Sequence, residues 1–312
     1  MNILVFGKDG QLGRAFQKRL AHTSFQDNNN IRFVGRKECD LSNPTQITEL
    51  LERFKPQLII NAAAYTAVDS AESNPDLAFL INSNAPQLMA KYASLSGATL
   101  LHFSTDYVFD GAKQGAYTES DKVNPLSAYG RSKESGERAI TTTFANSSMG
   151  RYAVLRTSWV YGDGNNFIRT ILRLAKERSA LRVIADQYGV PTSADWLAEL
   201  SLYLVLDGDQ LRQFTSDIYH AVPPGETSWY DLACLVIQAG IDCGQPLQAS
   251  PRTISPIPAS EYPLPAARPM NSRLSRNKLQ MELERLGLMS KLPNWNTPWN
   301  EQVLAYVRTL SD

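Results

Sequence analysis

The 312-residue chain has only three cysteines, no apolar run near the length of a membrane span, and no excess charge of either sign. Each shortage removes a class of protein. Cys39, Cys234 and Cys243 are odd in number, and the last two are separated by eight residues with no histidine nearby to complete a zinc pattern. They read as reduced thiols in a reducing compartment rather than as a disulfide framework. The start, Met1 to Asp9, carries no basic segment, and its apolar run is far too short for a secretory signal. Nothing approaches the roughly 20 apolar residues of a transmembrane helix, so a cytoplasmic protein with no membrane partner is expected. Lys plus Arg number 31 and Asp plus Glu 31, so no global field points to nucleic acid. An anionic partner must be caught by a local site. No internal repeat is present.

What is there is ordinary globular composition, 43% hydrophobic and 20% charged, on a chain long enough for a large core. Asn2–Phe6 is a short apolar run that stops at Gly7, as a parallel strand buried on both faces does. Leu12, Phe16 and Leu20 then recur at helical spacing. Further strands are predicted over Ile31–Val34, Gln57–Asn61, Thr99–Ser104 and Ala153–Arg156. Helices are predicted from Ser42-Asn43-Pro44 to about Phe54, over Ala78–Ser96, and from Ser127 to about Thr143. This alternation implies an α/β fold with a doubly wound parallel sheet, the Rossmann type.

After Tyr161 the pattern coarsens. Phe167–Lys176 and Ala194–Leu206 read as helices and Leu181–Ala185 as extended chain. Ser250–Pro269, with six prolines, is expected to be an extended loop. Trp295, Trp299, Val303, Tyr306 and Val307 form an apolar stripe that must bury somewhere. The expected layout is a dinucleotide-binding domain over 1–160, to which the chain returns near 192–222. A smaller α/β substrate-binding domain occupies most of 161–312.

Four strand ends carry chemistry. Gly7-Lys8-Asp9-Gly10-Gln11-Leu12-Gly13 joins the first strand to the first helix, where glycines permit a tight turn and close approach of a pyrophosphate. The helix N-terminus offers that anion its free N–H groups and dipole. The second strand ends Val34-Gly35-Arg36-Lys37, with no carboxylate until Glu38. An acidic residue there suits a ribose 2′-hydroxyl, whereas the forked guanidinium of Arg36 suits a 2′-phosphate, so NADPH is expected over NADH. Asp40 and Leu41 are candidates for the adenosine side. Ala62, Ala63 and Ala64 follow the third strand and let a cofactor lie close. The fourth strand ends Ser104-Thr105-Asp106-Tyr107, which places hydroxyls where a substrate carbonyl must sit. Tyr129 and Lys133 are four apart on a helix and share a face. A phenol near pKa 10 is a poor acid–base catalyst at neutral pH, and a neighbouring cation stabilises its phenolate.

Together the glycine turn, Asn61-Ala62-Ala63-Ala64-Tyr65-Thr66-Ala67-Val68-Asp69-Ser70-Ala71-Glu72, Ser104-Thr105-Asp106-Tyr107-Val108-Phe109 and Tyr129-Gly130-Arg131-Ser132-Lys133 resemble the extended short-chain dehydrogenases. More narrowly they resemble the dTDP-4-dehydrorhamnose reductases. Arg156-Thr157-Ser158-Trp159-Val160-Tyr161, Gly164-Asn165-Asn166-Phe167, Asp186-Gln187-Tyr188-Gly189-Val190-Pro191-Thr192 and Arg268-Pro269-Met270-Asn271 fit the same likeness. The resemblance implies reduction of a dTDP-linked 4-keto sugar with Thr105, Tyr129 and Lys133 as the catalytic residues. It implies a sugar-nucleotide pocket shaped by Val68, Asp69, Asp106, Tyr107, Trp159, Asn166 and Arg268, in a monomer or homodimer. Some members hold Mg2+ through a carboxylate just after the third glycine; Gly13-Arg14-Ala15-Phe16 has none, so no metal is expected. A sugar-nucleotide dehydratase would need Glu directly after the Asp that follows Thr105, and Tyr107 stands there. An epimerase, and a non-catalytic NADP-binding regulatory subunit, remain as alternatives.

Overall fold

In the first half of the chain, short apolar runs alternate with amphipathic ones, and each run takes the conformation its spacing demands. The computed structural model describes residues 1–21, 28–145, 147 and 149–310. The short runs become strands β1 (Asn2–Phe6), β2 (Asn30–Val34), β3 (Leu58–Asn61), β4 (Thr99–Thr105) and β5 (Arg151–Thr157). A sixth strand, β6 (Asp217–His220), returns to the edge beside β5. The order is β6-β5-β4-β3-β1-β2, with every pairing parallel. This is a Rossmann-type sheet, and its strand order reverses between β1 and β3, where ligands of such folds bind beyond the carboxyl ends.

Strand residues alternate between two helical layers. Ile3, Val5, Leu58, Ile60, Leu101 and Phe103 pack with α1 (Gln11–Ala21) and α6 (Ala194–Val205) through Leu12, Phe16, Leu197 and Leu204. Leu4, Phe6, Ile59 and Leu100 face the other way. They meet α2 (Pro44–Phe54), α3 (Ala85–Ser96) and α4 (Ala128–Ala145) through Ile47, Met89 and Ile140. The start of α2 lies where Asn43-Pro44 places it, with the Asn43 side chain accepting from Thr45 N and Gln46 N.

Three expectations are corrected. The helix expected over 78–96 is a short helix, Pro75–Phe79, that runs through a π-helical turn, Leu80–Asn84, into α3. Asn82 explains the departure: it is buried, its Oδ1 accepts from Tyr65 N at 2.8 Å, and its Nδ2 donates to Ser132 Oγ at 2.9 Å. Second, the proline-rich stretch is not loop throughout. Ile254–Ile257 pairs in parallel with Leu181–Ile184 as a two-stranded sheet, where Pro256 is tolerated because this strand has a partner on one side only. Third, the aromatic stripe near the C-terminus divides. Trp295 joins the layer of α1 and α6, whereas Val303 and Val307 on a helix over Trp299–Arg308 join a separate core with α5 (Phe167–Glu177) and the helix Trp229–Asp242. Period alone does not distinguish one core from two.

The charge buried between β5 and α4 is fully paired. Arg156 Nε donates to Glu137 Oε1 at 2.9 Å and Nη2 to Oε2 at 2.7 Å, with both residues 3% exposed. His220 on β6 accepts from Arg156 Nη1 at 3.4 Å, since its Nδ1 faces the Tyr117 carbonyl at 3.1 Å. Burial and the neighbouring Arg156 lower His220 to about 3, so the ring is neutral. Removing one partner leaves an uncompensated ion in low dielectric. Glu137→Ala is therefore expected to cost about 3–5 kcal/mol of unfolding free energy, read as a shift of the urea midpoint. A loss below about 1 kcal/mol would place this pair with exposed ones.

Candidate active site

The cleft lies where β1, β3, β4 and β5 end, and it has a volume of about 690 Å³. At its floor is the glycine turn. Gly7 has φ +87°, and a Cβ there would lie 2.7 Å from Ala63 N; at Gly13 it would lie 2.0 Å from Gly7 O. These two glycines are demanded by the fold itself. Gly10 differs, because a Cβ there would meet nothing nearer than Gly7 O at 3.4 Å. Its bare backbone faces the cleft and leaves space for a ligand. Gln11 and Leu12 follow as the first residues of α1 and line the same wall.

Ala62, Ala63 and Ala64 form the opposite wall, and Arg36, Asp40 and Leu41 the far end. The Arg36 side chain is 76% exposed, with Nε 3.5 Å from Asp40 Oδ2, the outer limit of a hydrogen bond. Asp40 is held below the usual carboxylate range mainly by hydrogen bonds from Ser42, first its backbone N–H and then its hydroxyl. Glu38, the first carboxylate after β2, faces Lys8 at 2.5 Å and accepts from Gly35 N at 2.8 Å. It is thereby tied to the turn, leaving Arg36 as the cation lining this end of the cleft.

At the other end of the cleft are Thr105, Asp106, Tyr107, Tyr129 and Lys133, with Val68 beside them. Thr105 donates to Asp106 Oδ1 at 3.0 Å, and the Tyr107 ring meets Tyr129 edge-on at 5.6 Å. Burial pushes the Tyr129 phenol well above its ordinary value, and the Thr105 hydroxyl bonded to it opposes that rise. Burial lifts Asp106 to about 6, against hydrogen bonds from Ser272 and Thr105. Lys133 is 2% exposed; its Nζ donates to the Phe103 carbonyl at 2.6 Å and lies 3.3 Å from His102 Nε2. Burial brings it down to about 8, partly offset by Glu137 one turn further along α4. Among the described residues, the buried Ser104 Oγ and Thr157 Oγ1 have no hydrogen-bond partner, and both line the cleft. Such groups suit a polar ligand.

Three expected substrate residues sit apart from this lining. Asn166 is the N-cap of the helix Phe167–Glu177, accepting from Arg169 N at 3.0 Å; its Nδ2 faces Gly162 O at 2.8 Å and Tyr306 Oη at 3.1 Å. Its Oδ1 serves the cap, and its Nδ2 also faces Oε1 of the cleft residue Gln11 at 3.2 Å, so Asn166 stands behind the lining rather than in it. Asp69 and Arg268 hold each other in a two-pronged ion pair of 3.0 and 2.8 Å. Both lie close enough to Tyr107 to act on its charge. Trp159 does line the cleft, with φ +48°, a strained value for a bulky residue. Its indole stacks on Trp229 at 3.5 Å, and a Cβ on Gly189 would lie 2.5 Å from it. Trp229 is absent from the expected set: the helical spacing of Leu232, Ala233, Val236 and Ile237 marks the helix Trp229–Asp242, but nothing in it singles out its first residue. Among the described residues, no group of three or more His, Cys, Asp or Glu is placed to hold a metal ion.

A dinucleotide turn, a strand-end Thr and a Tyr–Lys helix pair on this sheet are the site and fold of the extended short-chain dehydrogenases. The particular family comes from comparison. The model described as "RmlD substrate binding domain" matches residues 1–306. The chain is 41% identical to dTDP-4-dehydrorhamnose reductase of Salmonella typhimurium, over 95% of this chain and 94% of that one. A crystal structure of a dTDP-4-dehydrorhamnose reductase from Clostridium acetobutylicum superposes with TM-score 0.85 at 33% identity, covering 100% of both chains. The Bacillus anthracis enzyme, solved in complex with NADP, gives 0.83 at 30% identity over 99% of both. The chain belongs to the dTDP-4-dehydrorhamnose reductase family.

The lysine supplies a test of the site's electrostatics. The unfolded chain holds the Lys133 proton up to pH 10.5, the folded one only to about 8. Between those values the unfolded state binds more protons, so folding gains stability as pH rises. Relative to Lys133→Met, the unliganded wild type should gain on the order of 3 kcal/mol between pH 7.5 and 10.5 in urea unfolding. Parallel pH profiles would show that the ammonium bears no burial cost.

Proposed function

We propose that the protein reduces the C4 ketone of dTDP-4-dehydro-β-L-rhamnose to dTDP-β-L-rhamnose with NADPH. The observation that carries this reading is that Thr105, Tyr129 and Lys133 meet in one cleft with the glycine turn, in a chain 41% identical over its length to a named reductase. The residues fit the cofactor: Gly10 leaves a gap against bare backbone, and Ser104 and Thr157 keep unpartnered hydroxyls. Gly7, Gly10, Gly13, Gln11 and Leu12 would cradle its pyrophosphate, Asp40 and Leu41 its adenosine, and Arg36 its 2′-phosphate. NADPH, when bound, supplies the hydride.

The chain's own part is proton management. Tyr129 must be protonated before reaction and must tolerate becoming phenolate after giving its proton to the new C4 alkoxide. Burial secures the first condition. The second falls to the Lys133 ammonium, still charged at neutral pH with a value of about 8. Thr105 would orient the carbonyl oxygen by turning its single hydrogen from Asp106 to it. Arg268, held beside Tyr107 by Asp69, is a cation suited to the substrate's diphosphate. We further read residues 1–160, with the return near 192–222, as the dinucleotide-binding domain and most of 161–312 as the sugar-nucleotide domain, in a cytoplasmic monomer or homodimer.

The test is an absorbance assay with enzymatically made dTDP-4-dehydrorhamnose, comparing NADPH with NADH and wild type with Tyr129→Phe. Tyr129→Phe should lower kcat about 10²–10⁴-fold with the KM for NADPH nearly unchanged. Arg36→Ala should raise the KM for NADPH about tenfold or more and leave that for NADH within about twofold. Equal loss with both cofactors would remove Arg36 from the 2′-phosphate. Tight NADPH binding with no oxidation by any keto sugar would favour a non-catalytic role.

A further inference from the structure

A histidine outside the expected site touches the catalytic lysine. His102 on β4 is wholly buried, and its register partner on β3 is Asn61. Its ring is contacted at both nitrogens: Nδ1 lies 3.0 Å from Asn61 Nδ2, and Nε2 lies 3.3 Å from Lys133 Nζ. We propose that His102 is the positioning residue for Lys133: with the Phe103 carbonyl it holds two of the three ammonium hydrogens against β4, leaving the third directed into the cleft. The inference rests on Lys133 being the lysine that serves cofactor and phenol.

Proton counting supports this assignment. A neutral imidazole has one N–H and one in-plane lone pair, so it accepts from only one of two neighbouring donors. Burial and the ammonium beside it hold His102 well below the ordinary histidine range, which makes the ring neutral. A bond from a charged donor is roughly twice as strong as one between neutral groups. Lys133 therefore claims the lone pair at Nε2, and Nδ1 carries the hydrogen. Asn61 must then present its amide oxygen to His102, giving up only a long 3.3 Å contact from Ala63 N; which amide atom is oxygen is set by such networks. His220 is a parallel within the same molecule, with Nδ1 on a carbonyl and Nε2 on the Arg156 guanidinium. Glu137, one turn further along α4, has both its oxygens engaged by Arg156.

The two ring positions can be separated by substitution. A Gln amide reaches about as far as Nε2, whereas an Asn amide reaches only as far as Nδ1. The full-length His102→Gln, His102→Asn and His102→Leu proteins are compared by fluorescence titration with NADPH, each checked by thermal midpoint. His102→Gln should bind within about threefold of wild type. His102→Asn and His102→Leu should bind about tenfold or more weakly, as loss of a fixed charged hydrogen bond implies. In turnover, kcat should fall in the same order with the KM for the sugar nucleotide nearly constant. Equal affinities for the Gln and Asn proteins, or wild-type binding by His102→Leu, would overturn the proposal. If His102→Leu fails to fold, the Gln–Asn comparison decides alone. A wild type that binds NADPH but reduces no keto sugar would sink the substrate reading, and the titration would still decide His102.

Discussion

The constraint on which the rest of this structure depends is the burial of charge at the joint between the sheet and α4. An ammonium, a guanidinium and a carboxylate lie within one turn of that helix or directly opposite it, each nearly inaccessible to water. Ions in such a place are tolerated only when every donor has an acceptor. That demand accounts for much nearby detail. Glu137 and Arg156 satisfy each other, the Phe103 carbonyl takes a hydrogen from Lys133, and two histidines are kept neutral beside the two cations. Close packing completes the joint. A Cβ on Gly136 would lie 2.1 Å from Asn82 O, so α4 can sit against the π-helical turn only because that residue is glycine. A loosely held α4 would carry Tyr129 and Lys133 out of register with Thr105.

The same burial gives the site its chemistry. A phenol sealed from water stays protonated, which a proton donor needs, but sealing alone would make it too weak an acid. A sealed lysine loses part of its affinity for its proton yet keeps it at neutral pH. On the proposed reading, the two together put a protonated donor and a cation into one cleft. Low dielectric both strengthens attraction between opposite charges and makes the cation costly to fold around. Stability and activity therefore pull on Lys133 in opposite directions, and the polar contacts from β4 are what reconcile them.

Much of this is legible in the amino-acid sequence. The strands show because runs buried on both faces are continuously apolar, and the four strand ends show because binding at carboxyl ends puts small or polar residues at fixed places. Asn43-Pro44 marks a helix start through local capping chemistry. What was not legible is whatever depends on contacts distant in sequence. His102 reads as one residue of a strand; its meaning lies in Asn61 and Lys133, 41 and 31 residues away. Asn166 fits a substrate motif in sequence, yet its Oδ1 caps a helix and its Nδ2 bonds residues as distant as Gln11 and Tyr306. The π-helical turn follows from Asn82 bonding to Tyr65 and Ser132, which no period encodes. The strand Ile254–Ile257 is hidden by its own proline.

The second half of the chain holds Trp159, in the cleft lining, and Arg268, outside it, by two different devices. Trp159 is held rigidly: its backbone is strained, its ring lies against Trp229, and Gly189 leaves no room beside it. Strain of that kind persists only where surrounding packing over-determines it, so this wall presents a fixed shape. Asp69 and Arg268 are held by an ion pair with both side chains partly exposed. A pair in that setting is worth little in net stability and can be exchanged for an anionic ligand at small cost.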